Sequence, residues 1–293
     1  MVREATMTLS RRSVAVWLGV VLLASSVPAC GTSEVHPLVG PLVNWMLLVS
    51  KSQNSREREC TVLPDGTVLL VGGGPAGEVA ELYQPTTGTF ERVGDMTVAR
   101  PGGHSGTLLH DGTVLVVGGD GAAAGSAELF DPLTGTFSQT PGRLNGEHTG
   151  HVAVRLRDDR VLVVCGRDAT TAVQTVVEIY DPRDGIFRVV PGMAEARADA
   201  FGTLLADGHV LVGGGVNAAN DAVSSSELFD PVTDAWIETG ALCERRGAPT
   251  GVLLHDGRVL LTGGVLPSGR VLVAGGTADG TGDSTTAEVY GTR

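Results

Sequence analysis

The sequence is poor in aromatic, basic and cysteine residues, and each shortage argues against a class of function. Aromatic residues make up 4% of the 293 residues, which argues against a sugar cleft walled by aromatic rings. Acidic residues outnumber basic ones, so the formal net charge is −12. A uniformly acidic chain repels a phosphate backbone, and nucleic acid is therefore not expected as a partner.

The cysteines are too few and too widely spaced to form a disulfide framework. Four are present, and after Cys30 an odd number remains, namely Cys60, Cys165 and Cys243. No CxxC pair and no histidine-rich segment indicates a zinc site, and we expect neither a metal nor a cofactor. Cys165 stands where other repeats of the chain have glycine, so it is expected to be a buried small residue.

Sustained helical periodicity is absent beyond the N-terminus, where the pattern is that of an export signal. Arg3, Arg11 and Arg12 precede an apolar stretch, 14–27, that is too short to span a bilayer as an ordinary helix. The following Val27-Pro-Ala-Cys30 resembles the lipobox of bacterial lipoproteins. This resemblance implies a signal peptide over 1–29, a lipidated Cys30 and a tether over 30–43. An ordinary signal peptide is the alternative, and either predicts an extracytoplasmic protein, anchored in the cell envelope or secreted.

A short apolar run that ends in a glycine pair or a close variant recurs along the chain. The six runs begin at Val68, Val114, Val161, Val210, Val259 and Val271. The glycines Gly73, Gly119, Gly166, Gly214 and Gly264 follow one another at steps of 46, 47, 48 and 50 residues. A period of this length built from strands predicts a β-propeller, in which each repeat forms one blade.

Turn signals divide each repeat into four strands, named a, b, c and d here. Asp-Gly between two apolar runs, as at Asp65-Gly66 and Asp111-Gly112, predicts a type I′ hairpin between strands a and b. A second hairpin of the form Asp131-Pro-Leu-Thr-Gly135 separates strand c from strand d, because Pro presets φ and Gly accepts a left-handed φ. The chain is therefore predicted to be all-β.

The repeated set of Gly-Gly, Glu-Leu-Tyr-Asp-Pro, a later aromatic residue and Ala-Arg resembles the bacterial kelch repeat. The resemblance implies that residues 44–293 form a kelch-type propeller, with aromatic residues and glycines packed between its blades. The aromatic residues of strand c are Tyr83, Phe130, Tyr180, Phe229 and Tyr290. Those of strand d are Phe90, Phe137, Phe187 and Trp236. We expect both sets in the core.

The two ends of the propeller region look like parts of one blade. Residues 44–48 resemble a strand d, and residues 286–290 resemble a strand c, so joining them would close the ring. The last glycine step, from Gly264 to Gly276, is only 12 residues, and strands are missing there. The prediction is five to six blades with one incomplete, because the broken units could merge into one blade.

The alternation of strands places variable loops and tight turns on opposite faces of the ring. The b–c loops 75–78, 120–125, 167–174, 216–224 and 277–285 and the d–a connectors share what we call the loop face. The a–b and c–d turns share the turn face. Binding residues concentrate in loops on a rigid scaffold, so the loop face is where a ligand is expected.

Residues that recur at the starts of the a strands are the candidate ligand-binding set, around one mouth of the central channel. They are Arg100, His104, His151, Arg197 and Arg245. One interpretation is a site for an anion or a sugar acid. The other is that the arginines pair with the strand c glutamates, Glu81, Glu128, Glu178, Glu227 and Glu288, because recurrence in every blade is typical of a structural role.

The sequence favours a non-enzymatic binding module whose partner is an envelope protein or a glycan, with a lipid anchor as its one contact with the membrane. Kelch propellers that resemble copper-radical oxidases need tyrosine and histidine ligands, but all three tyrosines here belong to strand c. No pair of residues stands out as a catalytic acid and base. The alternatives are a carbohydrate-active enzyme similar to the sugar isomerases of the family, acting at the channel mouth, or a degenerate propeller without a ligand.

Overall fold

The computed structural model describes residues 58–73, 77–242, 245–253, 259–262 and 287–290. The described residues are all-β, with nineteen strands and one short 3-10 turn, Gly121–Ala123. No helix among them is long and apolar enough to cross a membrane. The predicted signal peptide, the lipidated Cys30, the tether, the strand at 44–48 and the run that begins at Val271 lie outside the described residues, so they stay predictions.

Each of the first four repeats forms one antiparallel sheet of four strands, which confirms the predicted blades. Blade 1 contains β1 (Glu59–Val62), β2 (Val68–Val71), β3 (Ala80–Gln84) and β4 (Thr89–Arg92). Blade 2 contains β5 (His104–Leu108), β6 (Val114–Gly118), β7 (Ala127–Asp131) and β8 (Thr136–Gln139). Blade 3 contains β9 (Val152–Arg155), β10 (Val161–Val164), β11 (Val177–Asp181) and β12 (Ile186–Val190). Blade 4 contains β13 (Phe201–Leu204), β14 (Val210–Gly213), β15 (Ser226–Asp230) and β16 (Ala235–Glu238).

The fifth sheet is incomplete in the described residues. It contains three strands, β17 (Thr250–Leu253), β18 (Val259–Thr262) and β19 (Ala287–Tyr290). The strand c at 287–290 pairs directly with the strand b at 259–262, in the register Val259 to Tyr290. This pairing matches the alternative in which the broken repeats merge into one blade.

The a–b turns differ from the predicted type I′ hairpin. In blade 1 the Gly66 amide donates to the Leu63 carbonyl at 3.0 Å, and the Leu63 amide donates to the Thr67 carbonyl at 2.8 Å. Gly66 has a positive φ, but Asp65 does not. The reason is that the Asp65 carboxylate accepts bonds from the Thr67 amide and hydroxyl, which holds the aspartate in an ordinary turn conformation. The loop is thus a three-residue turn that ends in a left-handed glycine.

The core lies between neighbouring blades, which cover both faces of each b strand. The four residues of β2 and of β10 are all buried, so these strands are continuously apolar. Strand c and strand d aromatic residues form tilted pairs in the first four blades, with ring centroids 4.9–5.2 Å apart. The strand c residues of these blades are buried, which confirms their predicted core role. Of the strand d residues only Phe187 is buried, and the other three are partly buried against the core.

The a strands contact one another in succession, β1 with β5, β5 with β9, β9 with β13 and β13 with β17. They therefore line the centre of a β-propeller. Adjacent blades are also joined through the glycine pairs, because the Gly119 amide donates to the His148 carbonyl of the next blade at 3.0 Å. The same bond runs from Gly73 to Arg100, from Gly166 to Arg197 and from Gly215 to Arg246.

Candidate functional site

The structure places Arg100 and Arg197 inside their blades. Both side chains are fully buried, and each guanidinium lies 3.1 Å from a strand c carboxylate, Glu128 for Arg100 and Glu227 for Arg197. Arg100 also donates to the Gly118 and Ser126 carbonyls, and Arg197 to the Gly214 and Ser225 carbonyls. The pairing that the sequence left as the alternative is therefore present for both arginines.

The strand c glutamates also hold the connectors that lead into their own blades. Glu128 accepts bonds from the Thr97 and Val98 amides, and Glu227 from the Ala194 and Glu195 amides. In blade 3 a histidine takes the place of the arginine, since His148 Nε2 lies 3.2 Å from Glu178. In blade 1 Arg58 pairs with Glu81. These side-chain pairs thus fasten the loop face to the sheets.

His104 and His151 lie beneath the glycine pair of the preceding blade. The Nε2 atom of His104 is 3.1 Å from the Val71 carbonyl oxygen, and that of His151 is 2.7 Å from the Ser105 hydroxyl. Burial lowers the pKa of His104 to about 4 and that of His151 to about 3, with neighbouring positive groups adding to the effect. Both imidazoles are therefore neutral at pH 7 and join one blade to the next.

The five predicted residues do not form one cluster. Arg100, His104 and His151 are close enough to influence one another's charge. Arg197 lies in blade 4, and Arg245, on the connector into blade 5, is exposed. The neighbouring Arg246 is the fully buried residue whose carbonyl accepts the bond from Gly215, so it occupies the place of Arg100 and Arg197. A ligand-binding role for the predicted five stays a prediction.

A different arginine, Arg167, projects on the loop face near the channel mouth. It follows Gly166 at the start of the b–c loop of blade 3, and its side chain is 22% exposed. Its guanidinium lies 2.9 Å from Asn220 Oδ1 and 3.5 Å from Asp199 Oδ2, both of blade 4. Arg167, Asp199 and Asn220, which we call the mouth cluster, therefore bring side chains of two blades together.

Asp199 is held in this cluster by its backbone. It has a φ of 53°, at the place where the preceding repeats have Gly103 and Gly150, and its amide donates to the Gly150 carbonyl at 2.9 Å. Burial raises the pKa of Asp199, and the nearby Arg167 opposes that shift. The sequence signal for this site is the substitution of aspartate for the glycine of the two preceding repeats, and the repeat period does not reveal it.

The loops around the mouth cluster have a rigid, polar frame. Asp168 Oδ1 accepts bonds from the Thr170 and Ala172 amides, and Asn217 Oδ1 accepts them from the Ala219 and Asp221 amides. The b–c loops of blades 3 and 4 thus have the same internal bonding. In the described part of the chain the large exposed apolar side chains lie in d strands, c–d turns or the end of β1, so none is in a loop-face segment. Those residues also contain no group of side chains able to hold a metal ion.

Comparison with known proteins supports the propeller fold. No protein-family model and no curated protein sequence matches the chain. The chain is similar to the solved structure of YjhT, with a TM-score of 0.59 and 12% sequence identity over 71% of this chain and 72% of that one. At this identity the likeness concerns the fold alone. The class defined here is thus an all-β propeller with four-stranded blades.

Proposed function

We propose that this chain is a non-enzymatic binding module of the cell envelope that holds a glycan on its loop face. Export through residues 1–29 and a lipid anchor on Cys30 are part of this proposal. The observation that carries it is the mouth cluster, in which Arg167 of blade 3 meets Asp199 and Asn220 of blade 4 at a partly exposed position. Side chains from two blades that converge at a mouth are typical of a ligand site on a propeller scaffold.

The chemistry of the mouth cluster favours a hydroxyl-rich, uncharged ligand. Arg167 donates, Asp199 accepts and Asn220 does both, so the cluster can bind hydroxyl groups in either direction. The positive charge of Arg167 is balanced by Asp199 at 3.5 Å, and the chain as a whole carries a net charge of −12. A neutral glycan therefore fits the cluster better than a sugar acid does.

The surroundings of the cluster favour a glycan over an envelope protein. Protein interfaces usually centre on large apolar or aromatic anchors. The described loop-face segments have no large exposed apolar side chain to serve as such an anchor. The rigid Asp168 and Asn217 frames would instead present polar groups without a large cost in loop ordering.

The arrangement favours binding over catalysis. A general acid or base must reach the substrate, but His104 bonds the Val71 carbonyl and His151 bonds Ser105 between blades. Their lowered pKa values keep both uncharged at pH 7. Arg100 and Arg197 are likewise occupied by carboxylates.

A glycan array probed with the mature chain, carrying Cys30→Ser, tests the proposal. We expect binding of neutral glycans, and we expect Arg167→Ala to weaken it by roughly tenfold or more, since a bond to a charged group is lost. Arg183→Ala is the matched control, because Arg183 is an exposed arginine of the turn face. Equal loss in both variants, capture of an envelope protein that Arg167→Ala abolishes, or chemical conversion of a sugar would each contradict the proposal.

A further inference from the structure

A second concavity lies away from the mouth, at the outer edge of the ring. A groove of about 550 Å³ runs between the connector at 191–194 and the outer strand of blade 4, β16, with its c–d turn. Asp234, Trp236 and Glu238 form its blade 4 side, and Pro191 lies opposite. The groove is therefore shaped by blade 4 and by the connector from blade 3.

Two of the residues that line this groove break the repeat. Asp234 stands where the other blades have a glycine in the c–d turn, and it keeps the left-handed conformation with a φ of 54°. Trp236 stands where the other blades have phenylalanine in strand d. The equivalent residues are Gly88, Gly135 and Gly185 for Asp234, and Phe90, Phe137 and Phe187 for Trp236. Aspartate tolerates the left-handed conformation, so the turn is kept while a carboxylate is added beside the groove.

The carboxylate of Asp234 has an unsatisfied oxygen. Its Oδ1 atom is buried and has no hydrogen-bond partner among the described residues. Glu227, at the inner side of the groove, is already bound by Arg197 and by two backbone amides. Glu238 is exposed at the rim. The groove is thus lined by the Asp234 carboxylate, whose charge no described side chain pairs, with the Glu238 carboxylate nearby.

Trp236 forms a fixed aromatic wall beside these carboxylates. Its ring packs against Phe229, with centroids 5.1 Å apart, and its indole Nε1 donates to the Pro191 carbonyl at 2.8 Å. The indole is therefore held from two sides. Among the aromatic side chains, tryptophan attracts a cation to its ring face most strongly.

We infer that this groove binds the ammonium or guanidinium group of a lysine or arginine side chain from a partner protein. Such a group would lie over Trp236 and beside the negatively charged Asp234 carboxylate. The net charge of −12 attracts a basic partner to the surface. This site is independent of the glycan site at the mouth cluster.

Nuclear magnetic resonance of the full chain, labelled with ¹⁵N at its indoles, tests the inference. The probes are acetylated, amidated tripeptides, Gly-Arg-Gly and its uncharged counterpart Gly-Gln-Gly. Trp236→Phe, which restores the residue of the other blades, assigns the indole signal of Trp236. We expect the arginine peptide to shift that signal saturably and the glutamine peptide to leave it in place.

The variant Asp234→Asn removes the charge and keeps a residue that tolerates a left-handed φ. We expect it to weaken binding of the arginine peptide by roughly threefold to tenfold. Glu91→Gln is the control for net charge, since Glu91 is exposed in strand d of blade 1, and it should bind as the unaltered chain does. Equal shifts with both peptides, unchanged binding by Asp234→Asn, or equal losses in the two variants would overturn the inference. An Asp234→Gly variant restores the turn residue of the repeat, so we expect it to fold and not to bind.

Discussion

Arg100 and Glu128 are both removed from solvent, and burial alone would lower the pKa of the arginine. Each charge is stable in the core because the other lies 3.1 Å away and because backbone carbonyls accept from the Arg100 Nη1 atom while backbone amides donate to Glu128. The same arrangement in blades 3 and 4 joins each connector to its sheet. These residues therefore stabilise the loop face that carries the proposed glycan site.

We predict that Arg100→Ala lowers the free energy of unfolding by about 3–5 kcal/mol, because it leaves the Glu128 charge buried and unpaired. Urea denaturation measures this change. Arg183→Ala, at an exposed turn position, should change stability by less than about 0.5 kcal/mol. A small effect of Arg100→Ala would mean that the guanidinium is free and available to a ligand.

The second prediction at the residue scale concerns Glu59 at the start of β1. Burial raises the pKa of its carboxyl group from 4.5 to about 7, although a bond from the Gly106 backbone opposes the shift. Between pH 4.5 and 7 the folded state then binds more protons than the unfolded state, so this group's contribution to stability is lost as the pH rises.

The melting temperatures of the wild type and of Glu59→Gln should therefore diverge over this range. As the pH rises from 4.5 to 7, the melting temperature of the wild type should fall relative to that of the variant. The comparison isolates Glu59, because the buried histidines contribute equally to both proteins. Parallel curves would show that Glu59 titrates as an exposed carboxyl group.

Elements of the blade could be predicted in detail because their signals are local. The Asp-Gly and Asp-Pro turns placed strands a to d, and the Glu-Leu-Tyr/Phe pattern placed the aromatic pairs. The a–b turn type was wrong, since the Asp65 side chain caps the turn and keeps that residue out of the left-handed region. A dipeptide signal does not contain this side-chain bond.

We predict that Gly118→Ala destabilises the propeller by more than about 2 kcal/mol, at the junction of blades 2 and 3. Gly118 has a φ of 64°, and a Cβ there would overlap the His148 carbonyl oxygen. Gly112→Ala is the control, because Gly112 has a φ of 90° and open space around the added methyl group. The denaturant midpoint of Gly118→Ala should be lower than that of Gly112→Ala, because only the first variant has the overlap. Equal midpoints would show that left-handed backbone strain alone decides both values.

At the scale of the whole molecule, the period of the glycine pairs was enough to predict a propeller. The candidate site could be predicted less well. Arg100 and Arg197 were predicted because they recur from blade to blade. The spacing of a recurrent arginine does not determine whether its side chain faces the channel or its own blade. Arg167, Asp199 and Asp234 are informative because they depart from the repeat, and an irregular residue has no period to reveal it.

The central claim is that the blades form one rigid ring whose loop face holds a glycan. A thermal melt of the mature Cys30→Ser chain, alone and with a panel of neutral and acidic glycans, tests it most directly. We predict a single sharp transition that a neutral glycan raises in the wild type and in Arg183→Ala but not in Arg167→Ala, because a ligand of the native state stabilises it by mass action. A broad transition, or a ligand shift that Arg167→Ala leaves intact, would contradict the account.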